Sequence, residues 1–332
     1  MPEMIPFGVS FDGFVPVREA VEVAKRAESA GARSFWIAEH LGYREAFVTA
    51  TAIALATEKA RLFPTAISPY LRHPTPMAMA LASLAELVPH RVGIAVGVGN
   101  PMFLRESGLE AEKPIDATRD YVRALRALLA AEPVHQDGRT FKLAGARVAF
   151  NAGSPVPIYI AATGPHMLKL TGRIADGVVL SAGLSPAYTR KVLAVAAEGA
   201  RAEGRDPGKL AKSSYIYFMA GGEPGAARRK VREKLAFLFR NKAVAENLQS
   251  SGLGIDQEAV MAAVSRRDLA AAAALVPDEA VDVFTITGDV AACRRRVQEY
   301  RDAGLEELVL ALVGTAEDRM RSLGMVPDIM AA

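Results

Sequence analysis

The adjacent pair Glu39-His40, in "SFWIAEHLGY", joins a carboxylate to the side chain that titrates nearest neutral pH. It follows a short apolar run, so both groups stand where a buried strand gives way to a loop. An imidazole in that position can give or take a proton beside a bound cofactor. It can equally pack against Trp36 or cap its own loop. Asp12, in "SFDGF", ends an earlier apolar run in the same manner, although Asp-Gly also makes ordinary turns. Other chemistry-bearing types are sparse. The five His are scattered, with no His-Glu-x-x-His or His-x-His spacing, so no metal site is expected. No Lys closes an apolar run, which argues against a Schiff base. Cys293 lies in the helical pattern "DVAACRRRVQEY" and reads as a packed thiol.

What closes the apolar runs is mostly small. "AVGVGNP" ends on Gly97, Val98 and Gly99; "PVPIYIAATGPHM" ends on Ala162, Thr163 and Gly164, then Pro165 and His166 open a helical pattern. Ile67, Ser68 and Ser181 close two further runs. Free amides at a helix N-terminus attract anions, and glycine lets a phosphate come close. The same residues also make a plain strand-to-helix turn, and the local pattern leaves both readings open. "AVGVGNP" is not a dinucleotide fingerprint, because Met102 stands where Gly-x-Gly-x-x-Gly needs its third glycine. A ring of small residues and backbone amides suits a flat or phosphorylated organic cofactor, which would then supply the chemistry.

The elements that must hold these residues alternate. Strand-like runs fall at 7–11, 34–38, 61–67, 92–97, 156–162, 177–181, 213–219 and 307–313. Helical periodicity fills the gaps at 17–30, 46–58, 74–87, 114–131, 165–174, 186–203 and within 225–303. Eight such units favour a closed parallel (β/α)8 TIM barrel, whose active site lies at the C-terminal strand ends, over an open doubly wound sheet. Two segments exceed that plan. Asp137-Gly138 predicts a hairpin within 132–155, and 221–284 reads as a helical insertion between the seventh and eighth strands. No composition shift marks a linker, so residues 1–332 read as one domain.

Bulk properties bound the function. The chain has 332 residues, is 51% hydrophobic and carries a net charge of +3, which gives no argument for a nucleic-acid surface. No apolar run reaches a membrane span, and the N-terminus lacks a signal-peptide pattern. With a single Cys, a cytoplasmic protein acting on a small molecule is expected.

Several longer stretches resemble the bacterial luciferase-like superfamily of flavin- and deazaflavin-dependent oxidoreductases. "AISPYLRHPTPMAMALASLAEL" with "HRVGIAVGVGNP" is similar to its third and fourth strands. "PVPIYIAATGPHMLKLTGRIADGVVLSAG" is similar to its fifth and sixth, and "TITGDVAACRRRVQEYRDAGLEELVLAL" to its last helix and strand. Within it, "FWIAEHLGYREAFVTATAIALAT", "SPYLRHP" and "EKPIDATRDYVRALRALLAAE" most resemble methylene-tetrahydromethanopterin reductase, which uses the deazaflavin coenzyme F-420.

The resemblance implies coenzyme F-420, with FMN as the alternative, and a homodimer or higher homo-oligomer. It implies a non-prolyl cis peptide near Thr65-Ala66-Ile67. It places Glu39 and His40 beside the coenzyme ring, Gly97 and Gly99 against it, and Thr163 and Gly164 at its phosphate. Arg44, Arg72 and Lys169 would be available to its acidic tail. One departure stands out. Where the reductases carry a first-strand Glu, this chain has Ser10. Either Asp12 or Glu39 replaces that group, or the substrate is not a methylene-pterin, and the second is the reading adopted. Hydride transfer between coenzyme F-420 and a small organic substrate is therefore expected. An FMN-dependent monooxygenase and a non-catalytic flavin-binding barrel are the alternatives.

Overall fold

The computed structural model describes residues 4–331. Its strands are β1 (Phe7–Phe11), β2 (Ser34–Ala38), β3 (Arg61–Thr65), β4 (Ile94–Val96), β5 (Val134–Asp137), β6 (Lys142–Ala146), β7 (Ile158–Ala161), β8 (Gly177–Leu180), β9 (Ala211–Ala220), β10 (Ile286–Gly288) and β11 (Glu307–Leu312). The helices following the first four strands are α1 (Val17–Ser29), α2 (Ala46–Ala56), α3 (Pro74–Leu87), α4 (Pro101–Glu106) and α5 (Pro114–Leu129). Then come α6 (Pro165–Ile174), α7 (Pro186–Ala202), α8 (Pro224–Phe239), α9 (Ala245–Ser250), α10 (Gln257–Ser265), α11 (Leu269–Ala274), α12 (Glu279–Phe284), α13 (Val290–Asp302) and α14 (Ala316–Met330). Six consecutive helices, α3 to α8, open on proline, whose fixed φ suits a first turn and whose missing N–H costs nothing there.

Eight strands run parallel in the order β3-β2-β1-β11-β9-β8-β7-β4. The ring closes between β3 and β4. Gly93 N–H donates to Leu62 at 2.9 Å, Ile67 N–H to Ala95 at 2.9 Å, and Gly97 N–H to Ile67 at 3.0 Å. The fold is thus a (β/α)8 barrel, as the alternating pattern predicts. Regular pairing of β3 stops at Thr65, short of the expected 67, and the Thr65-Ala66 peptide is cis, as the resemblance implies. β5 and β6 form the expected antiparallel hairpin. The helical stretch between β9 and β11 also contains β10, a three-residue strand that pairs with the far end of β9 and has no counterpart among the expected elements.

Strand alternation sorts the side chains. In β1, Phe7, Val9 and Phe11 join the large cluster between sheet and helices, while Gly8 and Ser10 alternate with them. Trp36, Phe63, Ala95, Tyr159, Val179 and Val309 form a separate buried cluster within the barrel. Trp36 stacks on Phe63 at 4.3 Å between centroids, with Tyr159 edge-on to both. A Cβ on Gly8 would fall 2.2 Å from Ser34 Oγ, 2.9 Å from the Ser34 carbonyl oxygen and 3.1 Å from the Trp36 nitrogen, so Ser34 requires glycine beside it. The barrel is therefore a packed plug that supports a site at its rim. No helix among the described residues is long and apolar enough to cross a membrane.

Candidate active site at the C-terminal rim

A cavity of about 960 Å³ opens at the C-terminal ends of the strands. Its floor is set by register. Tyr217 on β9 pairs with Ala311 on β11, and Ser10 lies one residue past the Val9–Leu310 pair. All three line the cavity, together with Asp12, His40, Gly99, Asn100 and Ser181. The opposite wall comes from α4 and from α8 with the turn that follows it.

His40 is held in one orientation. Its Nδ1 lies 2.8 Å from the Asp12 carbonyl oxygen, which can only accept, so Nδ1 carries the hydrogen. In the neutral ring this leaves Nε2 as an acceptor, and no described residue bonds to it. The imidazole stacks on Phe14 at 5.5 Å and meets Phe103 at 5.9 Å. It does not pack on Trp36, which is buried below. The Asp12 carboxylate accepts the Phe14 N–H at 3.0 Å, so it shapes the turn whose carbonyl fixes His40. Glu39 is outside the cavity lining. Its carboxylate accepts from Arg72 Nε at 2.9 Å, and the same guanidinium also pairs with Glu45 and covers Phe47. Glu39 thereby braces the 40–45 loop that carries His40.

The other expected residues form two groups around the same rim. Thr65, Ala66, Ile67 and Ser68 lie beside Gly97, Val98 and Gly99, joined by the closing hydrogen bonds and by Ser68 Oγ donating to the Val98 carbonyl at 2.8 Å. Thr65 Oγ1 is 2.9 Å from the Tyr215 hydroxyl. A Cβ on Gly97 would sit 2.9 Å from that of Ala66 and 3.1 Å from that of Ala161, so this wall is backbone and methyl. Gly99 has φ +93°, a conformation side chains resist.

The second group is the β7–α6 turn. Ala162 is buried, Thr163 half-buried, and Gly164, Pro165 and His166 are exposed. Gly164 caps α6 without any side-chain bond, so the first amides of the helix are unpartnered. Space above Gly164 is open, and a Cβ added there would meet no atom within 4 Å. Of the expected residues, Asp12, His40, Gly99 and Ser181 share the cavity; the 65–68, 97–98 and 162–166 segments do not line it.

Sequence reasoning missed Tyr217 and the basic wall. Burial pushes the Tyr217 hydroxyl up to about 12, with the Asp12 charge adding to that and Arg240 opposing it. It stays a neutral donor across the physiological range. Arg240 follows α8, and burial lowers its pKa against a smaller opposing effect of Tyr217. The readable signal was the charge run "ARRKVREKLAFLFRNK" in a segment already marked as inserted.

The profile of the luciferase-like monooxygenase family matches residues 6–307. The chain belongs to that family. This luciferase-like protein is 32% identical over 307 residues to the 5,10-methylenetetrahydromethanopterin reductase of Methanolobus tindarius, covering 91% of this chain and 93% of the relative. It is 29% identical over 350 residues to an F-420-dependent glucose-6-phosphate dehydrogenase of Tsukamurella paurometabola, covering 96% and 98%. Its fold matches the coenzyme F-420-dependent tetrahydromethanopterin reductase of Methanopyrus kandleri with a TM-score of 0.88, 24% identity and 98% coverage of each chain. The luciferase-like chain is accordingly an oxidoreductase.

Proposed function

We propose that this oxidoreductase transfers hydride between coenzyme F-420 and a small organic substrate seated in the cavity beside His40. The observation that carries the reading is the imidazole itself, fixed through Nδ1 to the Asp12 carbonyl at a cavity on the catalytic rim. The residues present fit a flat, phosphorylated group. A methyl-and-backbone wall at Ala66, Gly97 and Ala161 admits a planar ring, and the uncapped amides of α6 accept an anion. When bound, the deazaflavin supplies the hydride-carrying carbon.

The chain's own residues do the rest. Thr163 to His166 hold the phosphate, and the Thr65–Ser68 and Gly97–Gly99 segments seat the ring. His40 Nε2 takes the proton from a substrate hydroxyl on oxidation and returns it on reduction. The Tyr217 hydroxyl, kept protonated by burial, donates to a substrate oxygen. Ser10 leaves no carboxylate on the first strand's inner face, which supports a substrate other than a methylene-pterin.

Titration of the purified protein with coenzyme F-420 and, separately, with FMN tests the assignment. Micromolar binding of the deazaflavin alone is expected. Preference for FMN, with oxygen consumption by the reduced complex, would replace it with monooxygenase chemistry. Binding without any hydride exchange would leave a flavin-binding barrel.

The chain self-associates in this reading. Val48 and Leu55 on α2, and Met79 and Leu87 on α3, are exposed apolar side chains on helices that follow neighbouring strands. Sedimentation equilibrium of the full chain should give a dimer or larger species, and a monomer at micromolar concentration would refute it.

A further inference from the structure

The wall of the cavity facing the barrel is built from one helix used on both sides. In α8, Val231, Leu235, Ala236 and Phe239 are buried in a core cluster formed by the insertion. The residues between them, Lys234, Phe237 and Leu238, face the cavity, and Arg240 and Lys242 continue the same wall beyond the helix. α4 contributes Arg105 to the lining. Among the described residues none of Arg105, Lys234, Arg240 and Lys242 forms an ion pair, and Asp12 is the sole carboxylate among the residues lining the cavity.

Such an imbalance has two local explanations, and they cover only part of it. A cation at a helix C-terminus relieves the helix dipole, and Arg240 does donate to the Phe237 carbonyl while its guanidinium carbon lies 3.5 Å from the centre of the Phe237 ring. Lys234, however, lies five residues before the end of α8, behind the last turn in which a cation meets that terminus. Its Nζ instead lies 5.8 Å from the centre of the Phe14 ring, the ring on which His40 stacks. Phe14 thus has a cation and the imidazole both packed against it. Unpaired cations held in a concave, partly desolvated site favour an anionic guest.

Deepening the reading above and resting on it, we propose that the substrate is an anion. It is a small alcohol or carbonyl compound bearing a carboxylate or a phosphate ester. Arg240 and Lys234 recognise its charged group, and Tyr217 and His40 face its reacting oxygen. The coenzyme's phosphate is not the guest, because the α6 amides assigned to it lie outside this cavity.

The test is calorimetric titration of the full-length protein, with and without coenzyme F-420, using citrate, inorganic phosphate and glycerol as probes. Either or both anions should bind, more weakly at higher salt, and glycerol should not; whichever anion binds more tightly names the charged group. Lys234→Gln and Arg240→Gln should each weaken anion binding about 10-fold, the equivalent of one charge-assisted hydrogen bond. Both should keep the circular dichroism and coenzyme affinity of the parent. Absence of anion binding, or anion binding indifferent to both substitutions, would overturn the proposal. Loss of coenzyme affinity in either variant would also overturn it, because these cations would then hold the coenzyme's acidic tail. Failure of F-420 to bind the parent protein would remove the coenzyme reading alone, since the anion titrations without coenzyme still decide the pocket.

Discussion

His40 shows how little side-chain chemistry this site needs and how completely the backbone arranges it. One carbonyl, that of Asp12, fixes the hydrogen on Nδ1, and Phe14 holds the ring plane. In the proposed role His40 relays the proton, and His40→Ala leaves the buried core untouched, so turnover should fall about 100-fold or more while the melting temperature stays close to the parent's. Steady-state rates with saturating coenzyme decide this, and an unchanged kcat would remove His40 from the reaction. Glu39 has a different part. Arg72 neutralises it, so its substitution should act through the 40–45 loop, raising KM more than it lowers kcat. Arg44, Arg72 and Lys169 are engaged with the Phe14 carbonyl, Glu39 and Glu198 respectively.

The elements were more legible than the site they carry. The eight barrel strands followed from short apolar or alternating runs bounded by turn signals, and the 132–155 hairpin from Asp137-Gly138 between two short β-like runs. β10 did not, because Ile286–Gly288 is three residues long and sits between helices α12 and α13, where periodicity has no room to register. The basic wall was hidden for another reason. Its cations belong to an insertion, and which face of α8 turns to the cavity depends on tertiary packing against Phe284 and Val281 rather than on any local motif. The β7–α6 turn was legible in residue type, and its two glycines separate binding from folding. Gly164 has open space above it and φ −80°, so Gly164→Ala should leave stability within about 0.5 kcal/mol of the parent yet weaken coenzyme binding. Gly172, two turns along the same helix, is the contrast. A Cβ there would lie 1.9 Å from the Ala196 carbonyl oxygen, where α6 and α7 meet backbone to backbone. The roughly 1 kcal/mol that alanine gains in helix propensity is outweighed by an overpacking cost of about 3 kcal/mol. Urea denaturation and F-420 titration of the two variants check the pair: Gly164→Ala should alter binding and Gly172→Ala stability. Equal stability losses would contradict this division.

Across the whole molecule, charge is managed differently at the two ends of the barrel. The C-terminal rim leaves cations unpaired for a guest, whereas the N-terminal end buries a carboxylate for good. Glu307, at the start of β11, accepts from Ser34 Oγ at 2.9 Å and from Ser213 Oγ at 3.3 Å, and Ser34 Oγ accepts from the Trp36 nitrogen at 2.7 Å. Burial raises the Glu307 pKa above its ordinary 4.5, with the Ser34 hydrogen bond and Arg61 opposing that rise. A raised carboxyl pKa means the folded state keeps its proton after the unfolded chain has lost it. The stability associated with that proton is complete below pH 4.5 and drains away as pH climbs through the folded value. Glu307→Gln keeps an acceptor for Ser34 and never ionises. The stability difference between variant and parent should therefore move in the variant's favour as pH rises from 4.5 and stay flat below it. Asp318 and Glu28, whose lowered values slope the other way, are common to both proteins and cancel in the difference. Urea denaturation between about pH 4 and pH 8 measures it. A difference independent of pH would show that Glu307 titrates alike in the folded and unfolded chain. Turnover should not follow the change, because the N-terminal end of such a barrel carries stability and the opposite rim carries chemistry.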